Sequence, residues 1–474
     1  MAIYCLSRDR INSMLNKEAI RRLKEIYSPG DISDQPEDLM AYGFDATGED
    51  GTIDLVVFPT TPEQVSQTLE IANIHDFPVT ARGAGTGFVG ASIPLFGGVQ
   101  LVMTRMNKLL HIDHDNLTAL VEPGLVLGRF QEEVERLGFF YPPDPASLNS
   151  CTLGGNVAMG SGGPRAVKYG VTRDYVLGLE IVLPTGEIMN VGAETVKSVV
   201  GYDLTRLLVG SEGTLGIVTK IRLRLLPLPE STRTILIVFK TAREAVYIAS
   251  QIIKNRIIPS TLEFMDHNCI MAVEKLLRTG LPIDAGALLL IETDGSTEAA
   301  NNEINEIKRL CEGYELSQVR VAKDEKERAM LWEIRRSLSQ AIKSISPTKI
   351  NEDITVPRSK IPELIDRLSA LSDRIGQPIV NFGHAGDGNI HVNIMTDKSI
   401  PARYETAKEA INDVFSICLS LGGTLSGEHG IGISKSNYIE SEIGELGVLI
   451  TKKIKRLFDP NNILNPGKIT PLGG

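Results

Sequence analysis

Apolar and polar positions change their period along the chain, and each change marks a different kind of element. Residues 11–27 place Ile11, Met14, Leu15, Ile20, Leu23 and Ile26 on one helical stripe, which ends at Ser28-Pro29-Gly30. After a lead-in rich in Asp, Gly and Pro, 53–58 reads as a short strand, and Thr61-Pro62-Glu63 opens a helix to His75. Strands at 78–81, 99–103 and 117–122 and a helix at 127–137 follow, then a hairpin at 179–190 and a strand at 217–226 that alternates apolar with basic residues. Between these elements lie glycine-dense loops at 82–92, 142–163 and 210–216. At Pro227-Leu228-Pro229 that style stops. Strands at 234–239, 261–265, 287–292, 318–322 and 350–356 then alternate with helices at 242–254, 268–278, 297–311, 325–343 and 359–374. This alternation predicts an open sheet with helices on one face, followed by a helix at 403–420 and an irregular tail from Asp459.

Composition narrows the class. At 474 residues the chain exceeds one ordinary core, and 42% hydrophobic content is enough to fill two or three. A net charge of −10 leaves no basic surplus for non-specific nucleic-acid binding. The five cysteines, at 5, 151, 269, 311 and 418, form no CxxC pair, which fits a reducing compartment and speaks against an iron–sulfur cluster. Residues 1–22 mix charges with apolar positions and offer no leader pattern, and no stretch reaches eighteen apolar residues. A cytoplasmic protein, or one held at a membrane through a partner, is the expectation.

Two kinds of segment carry chemistry. The first is the loop Arg82-Gly83-Ala84-Gly85-Thr86-Gly87, placed straight after a strand, whose glycines let backbone N–H groups converge on an anion such as a pyrophosphate. Pro94 and Gly97-Gly98 forbid the regular helix that a Rossmann site needs behind such a loop. The second is His384-Ala385-Gly386-Asp387-Gly388-Asn389-Ile390-His391 together with Gly427-Glu428-His429-Gly430. If Asp387-Gly388 is a two-residue turn, His384 stands directly opposite His391 on one face. Both imidazoles can then meet on a divalent metal with Glu428 as third ligand, leaving positions open for substrate. Cross-strand packing with hydrogen bonds to carbonyls is the plainer alternative, and residue chemistry leaves both readings open.

Taken in order, Arg82 to Ser92, Pro142 to Ala158, Gly201-Tyr202-Asp203-Leu204, Gly210 to Gly216, His384 to His391, Gly427 to Gly430 and Leu464-Asn465-Pro466-Gly467-Lys468 resemble the flavoproteins of the vanillyl-alcohol oxidase or p-cresol methylhydroxylase superfamily. The likeness runs from about residue 38 to Lys468 and is nearest to the D-lactate dehydrogenase and glycolate oxidase D-subunit branch, with D-2-hydroxyglutarate dehydrogenase as a near relative. It implies an α+β fold: a two-subdomain FAD-binding domain at 1–226, a ferredoxin-like cap at 227–425, and a C-terminal segment at 426–474 that returns to the FAD domain.

The resemblance also implies who does what. Arg82, Gly83, Ala84, Gly85, Thr86, Gly87, Pro143, Asp144, Thr152, Gly154, Gly155, Asn156, Ala158, Gly210, Glu212, Gly213, Gly216, Ile217 and Asn465 would hold FAD, with 83–87 at its pyrophosphate. Thr86-Gly87 stands where covalent members often carry an anchoring histidine, so dissociable FAD is expected. His384, His391 and Glu428 match the positions that hold a metal, commonly zinc, with iron or manganese in some members. His429 matches the catalytic base and Arg335 a clamp for the substrate carboxylate. Extended backbone would send Glu428 and His429 to opposite sides, one to the metal and one to the flavin. Asn351 replaces a lysine found in the hydroxyglutarate branch, which shifts the expectation toward D-lactate or glycolate, although Lys349 is close by. An external electron acceptor follows, such as an electron-transfer flavoprotein or an iron–sulfur subunit, and a homodimer is compatible with everything above. The competing classes are a metallohydrolase and a flavin-carrying subunit without chemistry of its own.

Overall fold

The computed structural model describes residues 15–471; Ile11 and Met14 of the first expected stripe, and Cys5, lie outside them. The remaining stripe forms a helix at Lys17–Ile26, capped by the Asn16 side chain on the Ala19 N–H and buried through Ala19 and Leu23. It packs against the helix Pro62–His75, where Thr61 caps the Gln64 N–H and proline sits in the first turn. Under these helices Val99–Val102 pairs parallel with Leu55–Val57 on one side and Val79–Arg82 on the other, and Ile32–Ser33 completes a four-stranded sheet. A second, antiparallel sheet runs in the order Leu109–Asp113, Thr118–Val121, Ile217–Arg224, Val176–Val182, Ile188–Gly192. The alternation in Ile217–Arg224 is real burial: Ile217, Thr219, Ile221 and Leu223 face inward.

The second half is built on one antiparallel sheet of seven strands, in the order Leu316–Val321, Ser231–Phe239, Ala287–Gly295, Thr261–Asp266, Ile379–His384, Asn389–Thr396, Thr348–Thr355. Helices cover both of its faces, not one. Ala242–Lys254, Thr297–Leu310, Ile361–Ile375 and Pro401–Ser420 pack on the side of Ile235, Ile237, Leu289 and Ile291, whereas His267–Leu277, Glu325–Arg336 and Leu338–Ala341 pack on the side of Leu236, Val238, Leu288 and Leu290. The sign was in the sequence, since Ala287-Leu288-Leu289-Leu290-Ile291 is continuously apolar, as a strand buried on both faces must be.

Three local expectations also change. The helix expected at 325–343 breaks at Ser337 into Glu325–Arg336 and Leu338–Ala341. The glycine stretch after Pro142 contains a short helix, Leu153–Met159, because Thr152 accepts the Gly155 N–H as its N-cap. Ile439–Phe458 is helical where none was expected, as two helices joined at Gly444, whose φ of 70° and ψ of 168° kink the chain. Beyond it the chain runs back to the first sheet: Leu464 bridges Val79 in parallel, the Asn465 N–H donates to the Val79 carbonyl, and Lys468 Nζ donates to that of Ile93. Cys151, Cys269, Cys311 and Cys418 are buried and free.

Candidate active site

Val79–Arg82 delivers the chain into the glycine loop, and close packing explains the glycines there. A β-carbon on Gly83 would strike Thr152 Oγ1, and Gly85, in the left-handed region at φ 69°, leaves no room above the Arg82 guanidinium. Arg82 itself donates from Nη1 to the Phe44 carbonyl at 2.6 Å. The start of Leu153–Met159 stands beside this loop. Its first N–H groups are already taken, by the carbonyls of Leu125 (2.9 Å) and Pro123 (2.7 Å) and by the Thr152 hydroxyl (3.2 Å), so it is the glycine turn that suits a phosphate-bearing ligand.

Loop and helix open into a cleft of about 560 Å³, a size typical of cofactor pockets. One wall is made by 82–88, 144–165 and 211–218, the other by Arg335, Phe382, His384, His391, Glu428 and His429. Pro143, Gly210 and Asn465, expected among the cofactor contacts, do not line it. They brace its walls instead: the Pro143 carbonyl accepts from Gln131 at 2.8 Å, the Gly210 N–H donates to Val157 at 2.9 Å, and Asn465 Nδ2 donates to Ala91 and Glu212 carbonyls at 2.8 Å each. Glu212 does line the cleft, but its carboxylate accepts the N–H groups of Ile431 (2.7 Å) and Gly432 (2.8 Å). Burial lifts its carboxyl to about 6 in spite of those bonds.

The histidine hairpin differs in register from the expected one. Pairing ends at His384 with Asn389, four residues make the turn, and His391 pairs with Phe382. A slip of two positions preserves the face, so the imidazoles still meet, as diagonal neighbours with ring centres 5.4 Å apart. The residue opposite His384 on its other side is Glu263. The His384 Nδ1–H donates to Glu263 Oε1 at 2.6 Å, and Arg335 Nε donates to Oε2 at 2.6 Å. Burial would raise the Glu263 carboxyl, but His384 and Arg335 outweigh it and hold it down at about 2. His384 Nε2 points inward; it is buried without a hydrogen-bond partner and lies 3.5 Å from Glu428 Oε1. Burial would lower this imidazole's pKa, but the Glu263 and Glu428 carboxylates raise it well above the ordinary value. His391 Nε2 also lies 3.5 Å from Glu428 Oε1. Both nitrogens thus stand 3.5 Å from one carboxylate oxygen, and ligands about 2.1 Å from a tetrahedral metal are about 3.4 Å apart.

Glu428 and His429 do not diverge. The bent backbone of 426–429 sends both side chains into the cleft, with His429 Nε2 3.9 Å from Glu428 Oε1. The His429 ring stacks on His391 at 5.3 Å and 15° and leans on Phe88 at 5.3 Å. What bends this segment is Asp353, which no motif in the sequence singled out. Its Oδ2 accepts the N–H groups of Gly427 (2.9 Å), Glu428 (2.9 Å) and His429 (3.0 Å) and the Ser426 hydroxyl (3.2 Å). Oδ1 accepts from Asn389 at 2.6 Å and lies 3.7 Å from His391 Nδ1. Burial pushes this carboxyl up, yet His429, Lys435, His391 and the converging N–H groups hold it well below its ordinary value. Asp353, His391, Glu428 and His429 each bring one ligand atom within 4.8 Å of the others, a second set that shares two members with the expected one.

Residues 53–192 match a family described as FAD binding domain, and residues 228–469 match the C-terminal domain of FAD linked oxidases. The chain belongs to the FAD-linked oxidases. It is 41% identical over 457 residues to the glycolate oxidase subunit GlcD of Bacillus subtilis, covering 96% of this chain and 97% of that one. It is 36% identical over 425 residues to a D-lactate dehydrogenase of Anaerostipes hadrus, covering 88% and 89%. The fold superposes on that of p-cresol methylhydroxylase with a TM-score of 0.81 at 17% identity, over 99% of each chain. As a member of this family the protein is an FAD-dependent oxidoreductase. Among the described residues no helix is long and apolar enough to cross a membrane.

Proposed function

We propose that the protein oxidises a small D-2-hydroxy acid, D-lactate or glycolate, to the 2-oxo acid and passes the electrons to an external acceptor. The observation that carries this reading is the convergence of His384 Nε2, His391 Nε2 and Glu428 Oε1 beside Arg335, in the cleft that also holds the glycine loops. The names of the relatives, glycolate oxidase subunit and D-lactate dehydrogenase, support it. In this reading 1–226 binds FAD, 227–425 caps it with the substrate and metal residues, and 426–474 closes the site.

When bound, FAD supplies the hydride acceptor and a divalent metal, zinc or else iron or manganese, supplies a Lewis acid that acidifies the substrate hydroxyl. His384, His391 and Glu428 would hold that metal. Asp353 fits less well as a ligand, because its two oxygens already accept five donors. His429 Nε2 takes the hydroxyl proton. Arg335, its Nε fixed by Glu263, turns its remaining N–H groups to the substrate carboxylate and so orients Cα. Among the described residues the four cysteines are buried and scattered and provide no cluster for electrons, which calls for a partner such as an electron-transfer flavoprotein or an iron–sulfur subunit. A cytoplasmic location, or attachment to a membrane through that partner, accords with this.

D-2-Hydroxyglutarate is the second reading. Asn351 is occupied with Asn393 Oδ1 at 2.8 Å, but Lys349 lines the cleft and could meet a second carboxylate. Anaerobic titration decides among these: D-lactate or glycolate should bleach the flavin, bleaching by hydroxyglutarate alone moves the substrate to the second reading, and no bleaching by any hydroxy acid sinks the proposal. After exhaustive chelation the protein should keep its colour but no longer bleach; a metal-free protein with full activity would remove the metal from the mechanism. Acid precipitation should release the colour into the supernatant, since Thr86-Gly87 offers no imidazole for a covalent bond. A yellow pellet would contradict dissociable FAD.

A further inference from the structure

The kinked helix Ile439–Phe458 rests on the protein through Ile439, Val448, Ile454 and Phe458. Its outer side carries Ile443, Leu446, Leu449, Ile450 and Leu457, with Leu446 70% exposed and Leu457 79%. Beyond the kink at Gly444, Leu446, Leu449, Ile450 and Leu457 share one face of the helical period, and Ile443 stands just before it. A run of large aliphatic side chains on one face differs from scattered surface leucines and marks an interaction surface.

The charges beside this stripe say what covers it. Glu440 and Glu445 are exposed toward its start, Lys453 and Arg456 toward its end. Among the described residues the helix makes one ion pair, Lys455 with Asp459, so these four are uncommitted. Such a face complements itself when turned end for end. At about 1.5 Å per residue, a two-fold axis between Leu449 and Ile450 leaves Glu445 about 7 Å to one side and Lys453 about 5 Å to the other. Glu445 of one copy then lies level with Lys453 of the next to within about 2 Å. A parallel pairing would set glutamate against glutamate and lysine against lysine.

We infer that two copies of this chain associate through Ile439–Phe458, packed antiparallel about a two-fold axis near Leu449 and Ile450. The apolar stripe supplies the affinity, while the exposed charges, weak individually, set direction and register. The contact is far from the histidine cleft in composition and uses none of its residues, so it stands apart from the proposed reaction.

Light scattering on the FAD-loaded protein should give the mass of two chains, and Leu446→Glu with Ile450→Glu should halve it while leaving flavin content unchanged. A monomeric parent protein overturns the inference, and so does a dimer that survives the double substitution. Register is tested with two charge-reversed proteins, Glu440→Lys with Glu445→Lys and Lys453→Glu with Arg456→Glu. Each alone should dissociate more readily than the parent, because like charges face each other, and a mixture of the two should form the hybrid dimer in preference. Random mixing would overturn the antiparallel arrangement.

Discussion

Replacing His429 with asparagine should leave a protein that keeps its FAD and its metal yet reduces the flavin about 10²–10⁴-fold more slowly, the usual contribution of a positioned general base. The ring lies on the rim of the cluster, stacked between His391 and Phe88, and its Nε2 is farther from Glu428 than the two hairpin imidazoles are. Asparagine can occupy that slot without disturbing the N–H of residue 429, which belongs to the Asp353 network through the backbone. Glu428→Gln should behave differently: its Oε1 is the atom on which both hairpin nitrogens converge, so the neutral amide mainly weakens metal retention. Metal analysis beside anaerobic stopped-flow reduction separates the two. A metal-depleted His429→Asn with a metal-replete Glu428→Gln would exchange their roles.

Asp353→Asn should be nearly as damaging although Asp353 is assigned no contact with substrate. One carboxylate oxygen gathers three successive N–H groups and a hydroxyl, and these bonds are charge-assisted. An amide offers one oxygen in place of two and turns an NH₂ group toward donors or toward Asn389. Each buried donor left without a partner costs about 1–3 kcal/mol. The segment that carries Glu428 and His429 would then relax, and misplacement by about 1 Å can cost about 10²-fold in rate. Stopped-flow reduction should show that loss together with a lower melting temperature. Near-parental reduction by Asp353→Asn would mean that the segment is bent by something else.

Much of this is legible in the sequence. Elements with strong local signals fall where expected, as at Thr61-Pro62 and at Thr241, whose hydroxyl and Glu244 form a reciprocal cap. The loop 82–87 and the histidine segment were recognisable because glycine and histidine are informative residue types. What misled was glycine read too simply. Gly154-Gly155 looked like loop although Thr152 caps a helix there. Asp387-Gly388 suggested a two-residue turn, but Gly383 must also lie flat against Asn389 and His391, which moves the register by two. Glu263 and Asp353 were invisible as participants for a different reason: their partners lie 121 and 74–76 residues away, and no local pattern reports such distances.

The grip of Glu212 on Ile431 and Gly432, across 219 and 220 residues, bears on how the protein matures. The glycine loops can collapse as soon as the first half has left the ribosome, but the carboxylate that will anchor the reactive segment must wait for nearly the whole chain to be made. Asn465 and Lys468 then clamp strands whose sequence was finished long before. Chains that stop before Ile431 and Gly432 would therefore lack the contact by which Glu212 holds the segment that carries Glu428 and His429.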